Sequence, residues 1–147
     1  MINTTPHVPF VSRLKIRLSH TDAAGISFFG NVFKMAHDAY EDWLESLGFS
    51  WAEWFENEAW AVPIRHSACE YFRPLRPGLE CEIQILIEKI GETSLQMKYL
   101  FVVESQPCCE VKLTHAFVSR STKTKTPIPS AVRHRLQAYQ AQCLGAK

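Results

Sequence analysis

The sequence predicts an α+β fold in which an antiparallel sheet wraps around one long central helix. Two observations lead to this class. One segment in the first third of the chain has apolar residues at helical spacing over several turns. Most of the chain after residue 60 alternates apolar and polar residues, which is typical of strands with one buried face. A single helix needs a curled sheet to cover its apolar stripe, and 147 residues suffice for one such domain, residues 1–147.

The N-terminal region predicts a loose arm followed by a strand. Residues 1–9 contain two prolines and several polar residues, so we expect an irregular arm there. Apolar residues then recur at every second position, with Ser12 as the exception on that face. The alternating set is Phe10, Leu14, Ile16 and Leu18 against Arg13, Lys15 and Arg17. This period predicts the first strand, and a turn-rich segment from Ser19 to Gly25 follows it.

The long helix is predicted from about Asn31 to Leu47. Its apolar stripe consists of Val32, Ala36, Ala39, Tyr40, Trp43 and Leu47. Gly48 follows at the position where helices commonly end in a left-handed residue. Ser50 and Glu53 have the spacing of a capping box, which predicts a second, short helix that starts at Ser50.

The chain from Ala61 to Pro129 predicts four strands arranged as a meander. Apolar and polar residues alternate in each of them, and the segment RPLRPG has the composition of a turn or bulge. In the first of these strands a regular alternation puts His66 on the apolar face and Ser67 on the opposite face. Ser130 then caps a final amphipathic helix, so residues 130–147 are predicted to form a C-terminal helix and tail.

Composition and charge narrow the partners and the compartment. The net charge is +1, so no strong overall field recruits nucleic acid or an acidic membrane. The five cysteines are odd in number and lack CxxC spacing, which indicates reduced thiols in a cytoplasmic protein. The N-terminus has no basic region followed by an apolar run, so we expect no secretion signal. No apolar stretch approaches the ~18 residues of a membrane span.

Asp22 is the main candidate for chemistry. It lies between the first strand and the long helix, and the small residues that follow, ending in Gly25, leave room for other groups to approach. The helix start lies a few residues later, where unpaired backbone N–H groups carry partial positive charge and can hold a developing oxyanion. A carboxylate beside such donors could attack a thioester carbonyl or activate water. The alternative is that Asp22 only caps the turn.

The run LSHTDAAGISFFGNVFKMAHDAYEDWL resembles the signature of the 4-hydroxybenzoyl-CoA thioesterase family of hotdog proteins. That signature combines an aspartate, small residues, a glycine, an apolar run, an aromatic residue and an asparagine at the helix start. The matching residues are Asp22, Ala23, Ala24, Gly25, Ile26 to Phe28, Phe29 and Asn31. A second similar segment is EYFRPLRPG, and the resemblance covers residues 11 to 130.

The resemblance implies a hotdog fold and an acyl-CoA thioesterase. Asp22 matches the catalytic aspartate of that family, which acts as a nucleophile or general base. The backbone N–H of Phe29 matches the donor that polarises the thioester carbonyl. The family also implies a homodimer or homotetramer, made by joining sheets, with active sites at subunit interfaces. No metal or cofactor is expected.

The acyl group remains open at this point. The segments TDAAG, AHDAYEDWL and VPIRHSACEYFRP resemble those of hotdog thioesterases that act on a dihydroxynaphthoyl thioester. That resemblance implies a dihydroxynaphthoyl group, and 4-hydroxybenzoyl or short aliphatic acyl groups are the alternatives. A rival of another class is a hotdog module that binds acyl-CoA or a partner protein without catalysis. A hotdog dehydratase is disfavoured, because no histidine makes a convincing pair with Asp22.

Besides Gly25, which leaves room for the substrate, five further residues are predicted to bind it, each with a structural alternative. His66 could anchor a substrate hydroxyl or carbonyl, or it could be a hydrogen-bonded core or interface histidine. Trp54 could wall an aromatic pocket, or it could simply pack over the sheet. Arg120, Lys123 and Lys125 could hold the phosphates of CoA, or they could belong to a solvated loop.

A carboxylate on the long helix is the remaining alternative to Asp22. Some hotdog thioesterases use a helix carboxylate for catalysis, and Glu41 lies on the predicted helix. Because the loop aspartate is present, we interpret Glu41 as structural. His20 precedes Asp22 by two residues, but no third ligand has the spacing of a metal site.

Overall fold

The computed structural model describes residues 10–27 and 29–143. Its elements are β1 (Val11–Lys15), α1 (Asn31–Ser46), α2 (Trp51–Phe55), β2 (Trp60–Ala61), β3 (Ile64–Tyr71), β4 (Glu80–Ile90), β5 (Ser94–Val103), β6 (Gln106–Ala116), β7 (Val118–Ser119) and α3 (Ser130–Cys143). The predicted α+β class is confirmed. The predicted arm and the last four residues of the tail lie outside the described residues.

The main sheet has five strands in the order β1-β4-β5-β6-β3, and every neighbouring pair is antiparallel. The predicted meander is correct for β4, β5 and β6 but wrong for β3, which pairs with β6 rather than β4. The physical reason is the connection through residues 72–79, which exceeds the two to five residues of most hairpin loops. That connection is hydrogen-bonded to Ile16, the residue that follows β1. Gly78 N–H donates to the Ile16 carbonyl, and Ile16 N–H donates to the Leu79 carbonyl.

Helix α1 lies against the inner face of the sheet and forms the centre of the core. Its buried stripe is Val32, Met35, Ala36, Ala39, Tyr40, Trp43 and Leu44. On the sheet, every second residue is buried in β4 from Cys81 onward and in β5 from Leu95 onward. Gly48 follows the helix with a φ of +86°, so the predicted glycine stop is confirmed. Helix α3 packs against β4, where the Tyr139 hydroxyl donates to the Ile85 carbonyl.

The predicted faces of β3 are wrong, because the strand contains a bulge. Ile64 lies opposite the buried His115, but His66 lies opposite Thr114, and the register shifts between Ile64 and His66. The extra residue reverses the alternation that follows. Ser67 therefore lies opposite the buried Leu113 on the inner face, and His66 lies on the outer face. A bulge of this kind leaves no signal in the simple apolar period.

Strand β3 is also the open edge of the sheet. Almost all of its residues are exposed on both faces, and Cys69 alone is intermediate. The apolar residues at its two ends share this exposure, with Ile64 at 42% and Tyr71 at 47%. Within the described residues, no helix is long and apolar enough to cross a membrane. Strand β3 is therefore exposed on both faces, and its C-terminal end lies near the loop that carries Asp22.

Candidate active site

The segment between β1 and α1 contains a turn that is closed by an isolated bridge between Thr21 and Ser27. Inside that bridge, Asp22 N–H donates to the Ile26 carbonyl at 3.0 Å, and Gly25 N–H donates to the Asp22 carbonyl at 3.0 Å. The turn is joined to a distant segment, because Ser27 N–H donates to the Leu75 carbonyl at 2.7 Å. The two family-like segments of the sequence therefore meet in space.

The Asp22 carboxylate has both a structural contact and an exposed position. Its Oδ1 accepts a hydrogen bond from Ala24 N–H at 2.8 Å, which is the turn-capping role that the sequence left open. The residue is exposed and lines a cleft, so capping does not remove the carboxylate from solvent. An aspartate held by one oxygen keeps a fixed direction, and that suits a group that must attack or deprotonate.

Gly25 is required by its backbone rather than by crowding. Its φ is +75°, a left-handed conformation that side chains other than glycine adopt with strain. A Cβ placed there would meet no protein atom within 4 Å. The predicted reason, close approach by another group, therefore applies only to a bound substrate. The glycine's demonstrable role is to close the turn that holds Asp22.

The N-terminus of α1 faces this turn. Asn31, the first residue of the helix, donates from Nδ2 to the His20 carbonyl at 2.7 Å and so ties the helix start to the end of the 3-10 turn Leu18–His20. Gly30 occupies the N-cap and provides no side-chain cap, and the first turn holds no acidic residue. The positive end of the helix dipole is thus not neutralised by the helix's own first turn. Such an end favours a developing negative charge.

Tyr71, the last residue of β3, contacts the segment that leads into α1. Its hydroxyl donates to the Phe29 carbonyl at 2.6 Å. Desolvation is the main cause that raises the pKa of Tyr71, and the neighbouring Cys69 thiol raises it further. The hydroxyl consequently stays protonated and remains a donor at any ordinary pH.

These groups line one cleft of about 400 Å³, a size typical of small-molecule sites. Its walls include Asp22, Ser27, Phe29, Tyr71, Phe72 and Arg73. Three of the walls are aromatic and partly exposed, with Phe29 at 63%, Tyr71 at 47% and Phe72 at 46%. The cleft thus combines one carboxylate, one guanidinium, aromatic side chains and Phe29, the residue that precedes the N-cap of α1. This arrangement can hold a flat acyl group and act on its carbonyl.

Ser27, Tyr71 and Phe72 were not predicted as site residues from the sequence. Ser27 is 8% exposed, and its hydroxyl has no hydrogen-bond partner among the described residues. The signal for the other two was the segment EYFRPLRPG, which resembles the family at the same place. The sequence showed that this segment matters but not that its strand end reaches the helix start.

Two of the predicted substrate residues lie away from the cleft. Trp54 is 2% exposed, and its Nε1–H donates to the Tyr40 hydroxyl at 2.7 Å within the core. Its position fits the packing alternative in a single chain. His66 is exposed on the outer face of the edge strand, where a second chain could reach it. A substrate role for either residue stays a prediction.

The predicted phosphate cluster lies in a turn around β7. The Arg120 guanidinium donates to the carbonyls of Asn57, Trp60 and Phe55, so it fastens the end of α2. Lys123 is exposed in a left-handed backbone conformation, and Lys125 is exposed and bridged to Val118. Binding of CoA phosphates by these three residues therefore remains a prediction, and Arg120 already has a structural role.

A second groove is larger, but neither Asp22 nor the start of α1 contributes to it. It measures about 850 Å³ and is lined by residues of β1, β4 and β5 such as Arg13, Glu82 and Leu100. None of its walls belongs to the turn around Asp22 or to the start of α1. Size alone would select this groove, but the smaller cleft is the one that contains Asp22 and the segment leading into α1.

Comparison with known families agrees with this geometry. A sequence profile of the thioesterase-like superfamily matches residues 16–136, which is most of the chain. The chain therefore belongs to the thioesterase-like superfamily, and the hotdog fold expected from the resemblance is confirmed. The match includes both the Asp22 turn and the segment that contains Tyr71.

Similar proteins act on a defined aromatic thioester. The 1,4-dihydroxy-2-naphthoyl-CoA hydrolase of Nostoc punctiforme is 28% identical over 138 residues, covering 94% of this chain and 93% of that protein. The protein of the same name from Rippkaea orientalis is 29% identical over 128 residues, with 85% and 93% covered.

Solved structures share the fold. A 1,4-dihydroxy-2-naphthoyl-CoA thioesterase from Synechocystis has a TM-score of 0.80 at 22% identity and covers 87% of this chain and 95% of its own. A Staphylococcus aureus protein in complex with CoA has a TM-score of 0.83 at 16% identity, with 94% and 92% covered. At these identities the likeness shows the fold.

Proposed function

We propose that this protein hydrolyses an aromatic acyl-CoA thioester, most specifically 1,4-dihydroxy-2-naphthoyl-CoA, to the free acid and CoA. In that case it serves phylloquinone biosynthesis. Membership in the thioesterase-like superfamily supports the reaction class. The names of the similar cyanobacterial proteins support the acyl group. The observation that carries the proposal is the cleft in which Asp22 and Phe29 lie together at the start of α1.

The reaction needs a nucleophile and a place for negative charge. The thioester carbonyl would lie against the helix start, with its oxygen at the Phe29 N–H. Asp22 either attacks the carbonyl carbon to form a mixed anhydride, which water then opens, or takes a proton from an attacking water. Negative charge on the carbonyl oxygen is stabilised by the helix N-terminus. CoA departs as a thiolate, so no strong general acid is required.

The walls of the cleft suit an aromatic acyl group. Phe29, Tyr71 and Phe72 present partly exposed rings, and a flat ring that packs against them gains about 0.5–1.5 kcal/mol per aromatic pair beyond area burial. Arg73 lies in the same cleft and offers donors for a ring hydroxyl or a phosphate. Gly25, His66 and Trp54, with Arg120, Lys123 and Lys125, remain the predicted binding residues outside this wall.

We also propose that the protein is a homo-oligomer that joins sheets at β3. An edge strand of eight residues that is exposed on both faces offers unpaired backbone groups to a second copy. Sedimentation should give a dimer or tetramer at micromolar concentration. The variant Ser67→Lys, on the inner face of β3, should shift it toward monomer. Ala138→Lys, on the exposed side of α3, should not. A monomeric wild-type protein would contradict this arrangement.

A cytoplasmic location completes the proposal. All five cysteines are free thiols, which supports a reducing compartment.

The test of the function is a substrate panel. Purified protein is mixed with 1,4-dihydroxy-2-naphthoyl-CoA, 4-hydroxybenzoyl-CoA and butyryl-CoA, and released thiol is measured. We expect the highest kcat/KM for the dihydroxynaphthoyl thioester. A preference for one of the others would change the acyl group but keep the chemistry. Saturable binding without thiol release from any substrate would overturn the proposal and favour a binding module.

A further inference from the structure

We propose that Tyr71 is a positioning residue for this reaction, holding Phe29 in the orientation that lets its N–H meet the thioester oxygen. This inference rests on the proposed function, because it gives Tyr71 a purpose in thioester hydrolysis. It assigns a role to the edge strand that neither the charge nor the apolar pattern of the strand indicates. It is carried by one hydrogen bond between two residues that are 42 positions apart.

The contact joins two elements that otherwise approach the cleft from different sides. Tyr71 is the last residue of β3, lies opposite Cys109, and takes its direction from the sheet. Phe29 precedes the N-cap Gly30 and belongs to the connection into α1. The hydroxyl of Tyr71 reaches the carbonyl of Phe29 at 2.6 Å, a normal length for an O–H···O bond.

The helix geometry explains why this carbonyl needs an anchor. Helix α1 begins at Asn31, so the carbonyl of the N-cap Gly30 is the first to accept a hydrogen bond inside the helix. The Phe29 carbonyl lies one residue too early for that ladder, and its orientation is fixed by Tyr71 instead. Anchoring this carbonyl restricts ψ of Phe29, the torsion that sets the position of the Phe29 nitrogen relative to the fixed carbonyl. Small displacements of a polarising donor are costly in rate.

The anchor is constant with pH. Desolvation and the Cys69 thiol raise the pKa of Tyr71, so the hydroxyl is neutral wherever the enzyme is folded and active. Substitution should then change the rate without changing the shape of the pH profile.

A rival role for Tyr71 is direct contact with the acyl group, since its ring lines the cleft and is half exposed. Tyr71→Phe separates the two roles, because it keeps the ring and removes only the hydroxyl. Positioning predicts that kcat falls about five- to fiftyfold, whereas the Kd for a non-hydrolysable thioether analogue of the substrate stays within about twofold. A weaker Kd with kcat unchanged would overturn positioning and make the hydroxyl a substrate contact.

Tyr139→Phe is the matched control. Tyr139 also donates its hydroxyl to a backbone carbonyl, that of Ile85, but it does so under α3 in the core. Its loss should lower the melting temperature and leave kcat within about twofold, since no reacting group depends on it. Tyr71→Phe should do the reverse, with a small change in melting temperature and a large change in kcat. Equal effects of both substitutions on kcat would overturn the inference.

A second measurement separates failure of this inference from failure of the proposed function. Amide hydrogen exchange of residues 29–33 should be faster in Tyr71→Phe than in the wild type, whatever the protein hydrolyses. Absence of thioester hydrolysis by the wild type defeats the proposed function. Hydrolysis by the wild type, with kcat and exchange both unchanged in Tyr71→Phe, defeats the positioning role alone.

Discussion

Strands β4 and β5 in the middle of the sheet and strand β3 at its edge have similar sequence patterns but differ in burial. In β4 and β5 every second residue is buried under α1 and α3, so the alternation becomes a core. In β3 the same alternation stays exposed on both faces. The difference shows that an alternating pattern reports which residues could be buried, while neighbouring elements decide which are. The cleft proposed for the reaction lies where this cover ends, between the end of β3 and the segment leading into α1.

The largest expected effect separates the two carboxylates that could serve as the catalytic group. Asp22→Asn keeps the turn-capping oxygen but removes the charge, so kcat/KM should fall about a thousandfold through loss of the base or nucleophile. Glu41→Gln, at an exposed position of α1, should retain near-normal turnover. Thiol release with the preferred thioester measures both. Near-normal turnover by pure Asp22→Asn would place the chemistry elsewhere.

Stability should show the opposite contrast. Ile85 is fully buried in β4, and Ile85→Ala should cost about 2–5 kcal/mol of unfolding free energy through lost burial and a cavity. Ile64, in the edge strand, is 42% exposed, so Ile64→Ala should cost well under half as much. Urea unfolding of both variants measures the difference. Measured in the Ser67→Lys background, where the proposed β3 interface is broken, equal losses would contradict the exposure of Ile64.

Low pH should destabilise the buried core of the protein through protonation of His115. This imidazole is fully buried and stacks on Tyr40 at 4.6 Å. Burial, with a smaller contribution from His37, lowers the pKa of His115 from 6.5 to about 3. The unfolded chain therefore binds the proton first as the pH falls. Unfolding free energy should drop between pH 6.5 and 3, by up to about 1.4 kcal/mol per pH unit from this group.

Replacement isolates that contribution. His115→Phe keeps a ring against Tyr40 and should flatten the dependence of stability on pH over this interval. His134→Gln, at an exposed position of α3, should leave the dependence as in the wild type. Denaturant unfolding at several pH values gives the slopes. A slope for His115→Phe equal to that of the wild type would show that His115 is not buried and neutral.

The smallest effect belongs to the other edge of the sheet. Arg13 in β1 pairs with Glu82 in β4 at 3.3 Å, but their side chains are 76% and 44% exposed. Solvent screens such a pair, so Arg13→Ala should change unfolding free energy by about 0.5 kcal/mol or less and leave thiol release unchanged. A large loss of activity would indicate that the wide groove beside Arg13, rather than the Asp22 cleft, takes part in the reaction.

The sequence predicted the elements where local periods and caps are strong. The helix from Asn31, its glycine stop at Gly48 and the cap at Ser50 were all readable, since each depends on neighbours in the chain. The position of β3 beside β6 and the bulge after Ile64 were not, because pairing over long distances leaves no local signal.

The candidate site shows the same contrast between residues predicted from a local motif and residues brought in by long-range contacts. Asp22 and Phe29 followed from one short motif, and they line one cleft. Tyr71 could not be linked to them, because its contact with Phe29 depends on where the edge strand ends. For Trp54 the sequence left both a pocket wall and core packing open, because aromatic clusters look alike whether they face a ligand or a core. In the fold its indole N–H donates to the Tyr40 hydroxyl.

The most direct measurement is a crystal structure of Asp22→Asn with intact 1,4-dihydroxy-2-naphthoyl-CoA. We expect the rings beside Phe72 and Tyr71 and the thioester oxygen about 3 Å from the Phe29 nitrogen. The thioester carbon should then lie against residue 22. A thioester bound in the groove along β1 and β4, or between α1 and α2, with residue 22 facing solvent, would contradict the account.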